Sequence, residues 1–149
     1  MTILVTGGAG FIGSNFLHHL TSITEDRVVV IDKLSYASNK KYIPAGPQFH
    51  LEECDLFDED QVRYIFSRFK PKTVFHFAAE SHVDNSIKDC KPFVESNIVG
   101  TINLLNASLA TEVERFQHIS TDEVFGSIPE GSFNEDTKYD PKNPYSASK

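Results

Sequence analysis

The chain has 149 residues, 40% of them hydrophobic and 23% charged, the composition of one soluble globular fold with a buried core and no need of disulfide staples. A net charge of −7 without any basic run argues against non-specific binding to nucleic acid or to a membrane surface, and no apolar stretch approaches the roughly 20 residues a membrane span requires. Cys54 and Cys90 lie far apart with no metal-type spacing, and the first residues carry no basic-then-apolar signal pattern, so a reducing cytosol and free thiols are expected.

Short apolar runs rich in β-branched residues alternate with longer helical patterns, the signature of βαβ units building a parallel sheet. Strands are predicted from Thr2 to Thr6, Arg27 to Asp32, Gln48 to Glu53, Thr73 to Phe77 and Arg115 to Ser120. Helices are predicted from Phe11 to Thr21, Asp58 to Phe69 and Pro92 to Leu109, and another starts close to Tyr145. Turn formers mark the junctions at Pro44 to Pro47 and Lys70 to Lys72, and Pro129 to Pro144 reads as a long polar loop. Pro144 suits a first helical turn and Lys149 lies only one turn further, so the expectation is the amino-terminal part of a longer polypeptide, whose remaining portion completes the sheet and covers the cleft.

Thr6-Gly7-Gly8-Ala9-Gly10-Phe11-Ile12-Gly13 follows the first strand and opens the first helix, the context that a dinucleotide fingerprint requires. Gly7 serves a tight turn, Gly10 the close approach of backbone to a pyrophosphate, and Gly13 the close packing of helix on strand. Free amides and the helix dipole at Phe11 and Ile12 suit such an anion. A plain strand-to-helix turn would use the same glycines, but Asp32 agrees with the first reading because it ends the second strand about 20 residues further on. Its carboxylate can accept from adenosine ribose hydroxyls and repel a 2′-phosphate, which favours NAD over NADP; the adjacent Lys33 offers a phosphate a partner, and a turn cap is the plainer role for Asp32. Asp55, with Leu56 beside it, ends the third strand in position to meet the adenine edge or to cap a turn. Ala78 and Ala79 end the fourth strand with side chains small enough for a ligand to lie along the backbone, or for a helix to pack there. Together these groups outline one crevice at the carboxyl ends of parallel strands, in an α/β, Rossmann-type doubly wound fold.

Ser120-Thr121-Asp122-Glu123 follows the fifth strand, so its polar groups should emerge over the same crevice. Adjacent carboxylates disfavour each other's ionisation and burial raises both pKa values, so one can hold a proton while the other acts as base, as proton removal and water expulsion from neighbouring carbons require. The plainer reading is a helix cap with first-turn acids. Tyr145 and Lys149 stand four positions apart on one helical face, where the lysine charge favours the phenolate and makes Tyr145 a candidate general base. His82 and Asp84 lack a third ligand at metal-type spacing, so no metal is expected. His18 and His19 read as surface or partly packed residues, and His50, His76 and His118 as packed on strands. Asn97, inside the Pro92 helix, either anchors adjacent strand ends or reaches the nicotinamide ribose.

Four ordered motifs, Thr6 to Gly13, Ala78 to Ser86, Ser120 to Gly126 and Asn143 to Lys149, resemble those of extended short-chain dehydrogenases/reductases, and specifically of the nucleotide-sugar 4,6-dehydratases typified by the dTDP-glucose enzymes. The resemblance implies a redox-neutral NAD-dependent lyase that converts dTDP-glucose, or UDP-glucose as nearest substitute, to the 4-keto-6-deoxy sugar nucleotide. Tyr145 would take the 4-hydroxyl proton, Lys149 would stabilise the phenolate and bind the nicotinamide ribose, and Thr121 would hold the C4 oxygen. Glu123 would remove the C5 proton and Asp122 would protonate the departing 6-hydroxyl. Ser81, His82 and Asp84 would neighbour the sugar or the cofactor. Relatives that are 4-epimerases generally lack the carboxylate pair, and GDP-mannose dehydratases typically carry serine where Asp122 stands. Phe125 replaces a commoner tyrosine, with a packing consequence expected. The family further suggests a homodimer through the Pro92 helix and the helix starting at Tyr145, and nucleobase contacts from beyond Lys149. The alternatives are a 4-epimerase or other extended-family enzyme, and a non-catalytic NAD-binding module.

Overall fold

The computed structural model describes residues 1–149. Five parallel strands, β1 (Thr2–Thr6), β2 (Arg27–Asp32), β3 (Phe49–Glu53), β4 (Thr73–His76) and β5 (Arg115–His118), form one sheet in the order β3-β2-β1-β4-β5. Alternation along the strands sends Leu4, Val29, Ile31 and Val74 to one face and Val5, Val28 and Val30 to the other. Both faces are covered. Helix α1 (Phe11–Ile23) lays Leu17 and Leu20 on the second face; α2 (Glu59–Phe69) and α5 (Gly100–Ala110) lay Val62, Ile65, Phe66, Leu104 and Ala107 on the first. This is the doubly wound arrangement expected from the sequence. Strand order reverses between β1 and β4, and the crevice opens where the chain leaves these two strands in opposite senses.

Three strands are shorter than expected. β3 starts at Phe49, while β4 and β5 stop at His76 and His118 because only one further ladder bond is made past each, Phe77 N–H to Thr6 O and Ile119 N–H to His76 O. The single helix expected from Pro92 to Leu109 is three pieces: α4 (Lys91–Phe93), a π-helical segment (Val94–Val99) and α5. The hydroxyl of Thr101 donates to Asn97 O at 2.6 Å inside this widened turn, which presents Asn97 to the end of β4. The short α3 (Val83–Lys88) and the 3₁₀ turn Lys40–Tyr42 are absent from the sequence reading, the 3₁₀ turn Asp122–Phe125 answers to the helix cap weighed at Thr121, and α6 (Pro144–Ser148) closes the described chain. His50 is exposed and packs on one side only: β3 is an edge strand, so the His50 ring meets that of Phe69 at 5.1 Å between centroids while Nε2 turns to Glu52 Oε1 at 2.8 Å. No helix is long and apolar enough to cross a membrane.

The turn after β1 is the tightest point of the sheet. Gly7 has a φ of +69°, and a Cβ there would stand 2.6 Å from the Ala78 amide nitrogen, against backbone that cannot yield. At Gly10 a Cβ would meet only the Gly7 carbonyl, at 3.4 Å. Gly7→Ala should therefore destabilise the fold by about 2–4 kcal/mol, combining left-handed strain with overpacking, whereas Gly10→Ala should cost less than about 1 kcal/mol; urea unfolding of the two variants side by side checks the contrast.

Candidate active site

A cleft of about 410 Å³ lies over the carboxyl ends of β1, β2 and β4. Its walls include Gly7, Gly10, Phe11, Ile12 and Gly13 from the glycine turn, Asp32 at the end of β2 and Lys33 after it, Asp55 and Leu56 after β3, Ala78, Ala79 and Ser81 after β4, and Tyr145 of α6 with its C-cap Lys149. Of the residues expected to hold a cofactor, Asn97 alone is outside this wall. Gly10 caps α1 with no side-chain hydrogen bond, so the first-turn amides have neither a capping oxygen nor an intrahelical partner. A cleft floored by glycine and alanine, closed at one end by uncapped helix amides and edged by a carboxylate, fits a dinucleotide.

Asp32 acts as both fastener and edge. Its Oδ2 accepts from Ala9 N at 2.9 Å and its Oδ1 from Leu34 N at 2.8 Å, fixing the glycine turn and a left-handed Leu34 (φ 55°) while each oxygen keeps a further lone pair. The Lys33 ammonium lies 2.9 Å from Glu80 Oε1 and 4.0 Å from Asp55 Oδ2. Asp55 Oδ1 accepts from Phe57 N at 3.1 Å, the turn-capping role foreseen as its alternative. Cys54, buried beneath, has its thiol pushed up to about 12, by burial first and then by the charges of Asp58, Asp55 and Glu52, so it is an inert wall residue.

Below the cleft runs a continuous relay. Thr101 Oγ1 donates to Asn97 O, so it accepts from His76 Nε2 at 2.9 Å; His76 Nδ1 is then the acceptor for Thr6 Oγ1 at 2.7 Å, and Thr6 Oγ1 accepts from Ala78 N at 3.2 Å. This order fixes one neutral tautomer. His76 is fully buried, and burial, with the charges of His118 and Lys149 adding to it, pushes its pKa down to about 3. The Asn97 side chain extends the relay: Oδ1 accepts from Glu80 N at 2.8 Å, and Nδ2 donates to Glu80 O at 2.9 Å and to Ser148 Oγ at 2.8 Å. Of the two roles expected for Asn97, anchoring strand ends is the one its hydrogen bonds make.

The turn of Thr121, Asp122 and Glu123 is organised differently. Thr121 caps the 3₁₀ turn by accepting from Glu123 N at 3.3 Å, the capping role weighed against catalysis; Asp122 is exposed and Glu123 half-buried, so the burial expected of the pair is not met at Asp122. Glu123 Oε2 accepts from Asn143 Nδ2 at 3.1 Å, and Asn143 is the N-cap of α6, completing a capping box with Ser146. The turn is thereby tied to the helix that carries Tyr145 and Lys149. Tyr145 meets the Phe93 ring edge-on at 6.4 Å between centroids, and burial holds Lys149 below the usual lysine range. His118 lies low for the same reason, with the Lys149 charge adding to it. Thr121, Asp122 and Glu123 stand outside the large cleft, as do His82, the α3 N-cap, and Asp84 in its first turn. Phe125 packs between Phe133 and Tyr139 at centroid distances of 5.3 and 5.5 Å. Ser120, expected to emerge over the crevice, does line it, whereas sequence reasoning passed over Glu80, Ser35 and Ser38 as wall residues; Glu80 was signalled only by a lone acid following two alanines.

The family model described as GDP-mannose 4,6 dehydratase matches residues 4–149. The dTDP-glucose 4,6-dehydratase of Neisseria meningitidis serogroup B is 45% identical over 161 residues, taking in 99% of this chain and 45% of the relative. DesIV, a dTDP-glucose 4,6-dehydratase from Streptomyces venezuelae solved with NAD bound, superimposes with a TM-score of 0.93 at 40% identity over 99% of this chain and 48% of its own. The UDP-glucose 4-epimerase of Thermus thermophilus, in complex with NAD, does so with a TM-score of 0.92 at 36% identity over 99% and 47%. The chain spans about half the length of the curated relatives it matches.

The depressed His76 has a consequence for stability. The unfolded chain takes up a proton near pH 6.5 that the folded chain refuses until about pH 3, so stability falls as pH drops through that window and is fully present above it. His76→Gln keeps a donor and an acceptor but cannot titrate. Between pH 8 and pH 5 the wild type should lose about 1–2 kcal/mol more than this variant in denaturant unfolding.

Proposed function

Because the chain belongs to the family described as GDP-mannose 4,6 dehydratase, we propose that it is the dinucleotide-binding half of a nucleotide-sugar 4,6-dehydratase acting on dTDP-glucose, with UDP-glucose the nearest substitute. The observation that carries this reading is the Glu123–Asn143 hydrogen bond, which couples a carboxylate-bearing turn to the capped helix of Tyr145 and Lys149 beside a dinucleotide-shaped cleft. NAD, when bound, would accept a hydride from C4 of the sugar and return it to C6. Gly7, Gly10, Gly13 and the amides at Phe11 and Ile12 would hold its pyrophosphate, Asp32 its adenosine ribose, and Ala78 and Ala79 would let it lie along β4.

Tyr145 Oη would take the 4-hydroxyl proton while the Lys149 ammonium favours the phenolate, and Thr121 Oγ1 would steady the C4 oxygen. The C4 ketone acidifies the C5 proton, which Glu123 would remove as Asp122 protonates the departing 6-hydroxyl. Ser81, His82 and Asp84 would border the sugar. The dTDP-glucose dehydratases named among the relatives, and the presence of Asp122, favour this substrate over GDP-mannose. A 4-epimerase is the second reading, supported by the likeness to the Thermus thermophilus enzyme, and it would need only Tyr145 and Lys149. As a piece on its own, residues 1–149 would form an NAD-binding domain without turnover, the substrate domain and nucleobase contacts coming from a further half. The reaction would proceed in the cytoplasm, with neither nucleic acid nor membrane as partner.

Val94, Ile98, Ile102, Leu105 and Leu109 are exposed and spaced by three and four residues, an apolar stripe along the π segment and α5 that supports a homodimer through this helix and α6.

Two measurements on the full-length polypeptide test these readings. In heavy water, dTDP-glucose should give a 4-keto-6-deoxy product labelled at C5; Asp122→Asn should slow water elimination by about 10²-fold or more while C4 oxidation persists, and an unlabelled 4-epimer as product would sink the dehydratase reading. Ile102→Glu with Leu105→Glu should convert a dimer to a monomer in sedimentation velocity, and a dimer that survives both changes would mean that another surface joins the subunits.

A further inference from the structure

Lys33 and Lys149 are the only cationic side chains lining the large cleft, and they serve opposite ends: Lys149 stands by Tyr145, Lys33 at the end of β2 beside Asp32. Lys33 is the natural partner for any anion carried on an adenosine ribose. It is already occupied, with its ammonium 2.9 Å from Glu80 Oε1 and 4.0 Å from Asp55 Oδ2. We propose that Glu80 sets the dinucleotide selectivity of the cleft by sequestering the Lys33 ammonium, which leaves a ribose 2′-phosphate with no cation and facing carboxylates. The inference rests on the dinucleotide reading of the cleft.

The backbone is fixed at both ends of the pair. Glu80 is pinned at its own N–H and C=O by the Asn97 side chain, so its carboxylate reaches Lys33 from an anchored main chain. Lys33 is held between Asp32 and Leu34, whose N–H the Asp32 carboxylate binds. The Glu80 side chain is 18% exposed and that of Lys33 34%, so solvent screens this pair less than it screens a surface bridge. Burial alone would lower the Lys33 pKa, but the Glu80 hydrogen bond and the charges of Glu80, Asp55 and Asp32 outweigh it and keep the ammonium charged. Three carboxylates thus surround one cation. Asp32 accounts for part of the repulsion of a 2′-phosphate, and Glu80 adds a second effect by denying that phosphate its counter-charge.

The test uses cofactor-free full-length protein and calorimetric Kd values for NAD⁺ and NADP⁺ in four forms: wild type, Glu80→Gln, Lys33→Met and the double variant, each checked for fold by circular dichroism. Glu80→Gln should raise NADP⁺ affinity relative to NAD⁺ by about tenfold, the worth of one charge-assisted hydrogen bond gained, and by less than about threefold once Lys33→Met has removed the ammonium. Glu80→Asp, which keeps the charge and shortens its reach, should fall between. An unchanged ratio in Glu80→Gln, or an equal rise with and without Lys33, overturns the proposal while leaving the dinucleotide reading intact. A wild type that binds neither dinucleotide overturns both.

Discussion

One buried imidazole joins the parts of this site. His76 is fully enclosed and held by two threonine hydroxyls, and the direction of its two hydrogen bonds is dictated from outside, because Thr101 has committed its only hydroxyl proton to Asn97 O. Thr6 precedes the glycine turn, Thr101 and Asn97 flank the π-to-α junction, and Ala78 begins the wall of the cleft. Removing the polar side chain of Thr6, His76, Asn97 or Thr101 leaves a partner unsatisfied in the interior, a loss of about 1–3 kcal/mol for each such group. The carboxyl end of β1, the carboxyl end of β4 and the helix above them therefore form one rigid unit.

The π-helical segment follows from that requirement. An uninterrupted α-helix from Lys91 would rotate Asn97 by a different amount and lose the reciprocal pair of bonds to Glu80 N and O. The widened turn keeps them and adds a third, to Ser148 on α6. Gly100 sits where the segment gives way to α5, and a Cβ there would fall 2.9 Å from Leu56 Cβ, so the helix also packs directly against the cleft wall at Leu56. One distortion thus sets the positions of Glu80, Leu56 and the Tyr145 helix at once.

Much of this was legible from residue order. Continuous apolar runs in Thr2–Thr6 and Arg27–Asp32 marked strands whose ends are met to the residue, because both are central or nearly so and buried on two faces. The glycine spacing and Asp32 located the cleft, since their constraint is local: a left-handed turn and a carboxylate at a strand end. What escaped reading depends on partners distant in sequence. His76 looked like any packed strand residue, and only tertiary contact with Thr6 and Thr101, 70 and 25 positions away, makes it a relay. Glu80 and Lys33 are 47 residues apart and adjacent in space. The six residues of α3 show no clear hydrophobic period, so nothing announced that helix. The exposure of Asp122 was missed because a position after a strand says where a residue emerges and not how much covers it.

The two halves of the proposed chemistry rest on different mechanical footing. Tyr145 and Lys149 stand on a helix bound from below by Asn97 through Ser148 and from its N-terminus by the Asn143 capping box, a placement suited to proton transfer at a position fixed in advance. Thr121, Asp122 and Glu123 lie on a four-residue 3₁₀ turn whose link to that helix is the Glu123–Asn143 bond. Asn143 uses its oxygen to cap α6 and its nitrogen to hold Glu123, so any movement of the carboxylate pulls on the cap of the helix that bears the phenol. Glu123, proposed to reach a carbon-bound proton, is thereby kept in register with Tyr145, proposed to act from a fixed position, through a single amide side chain.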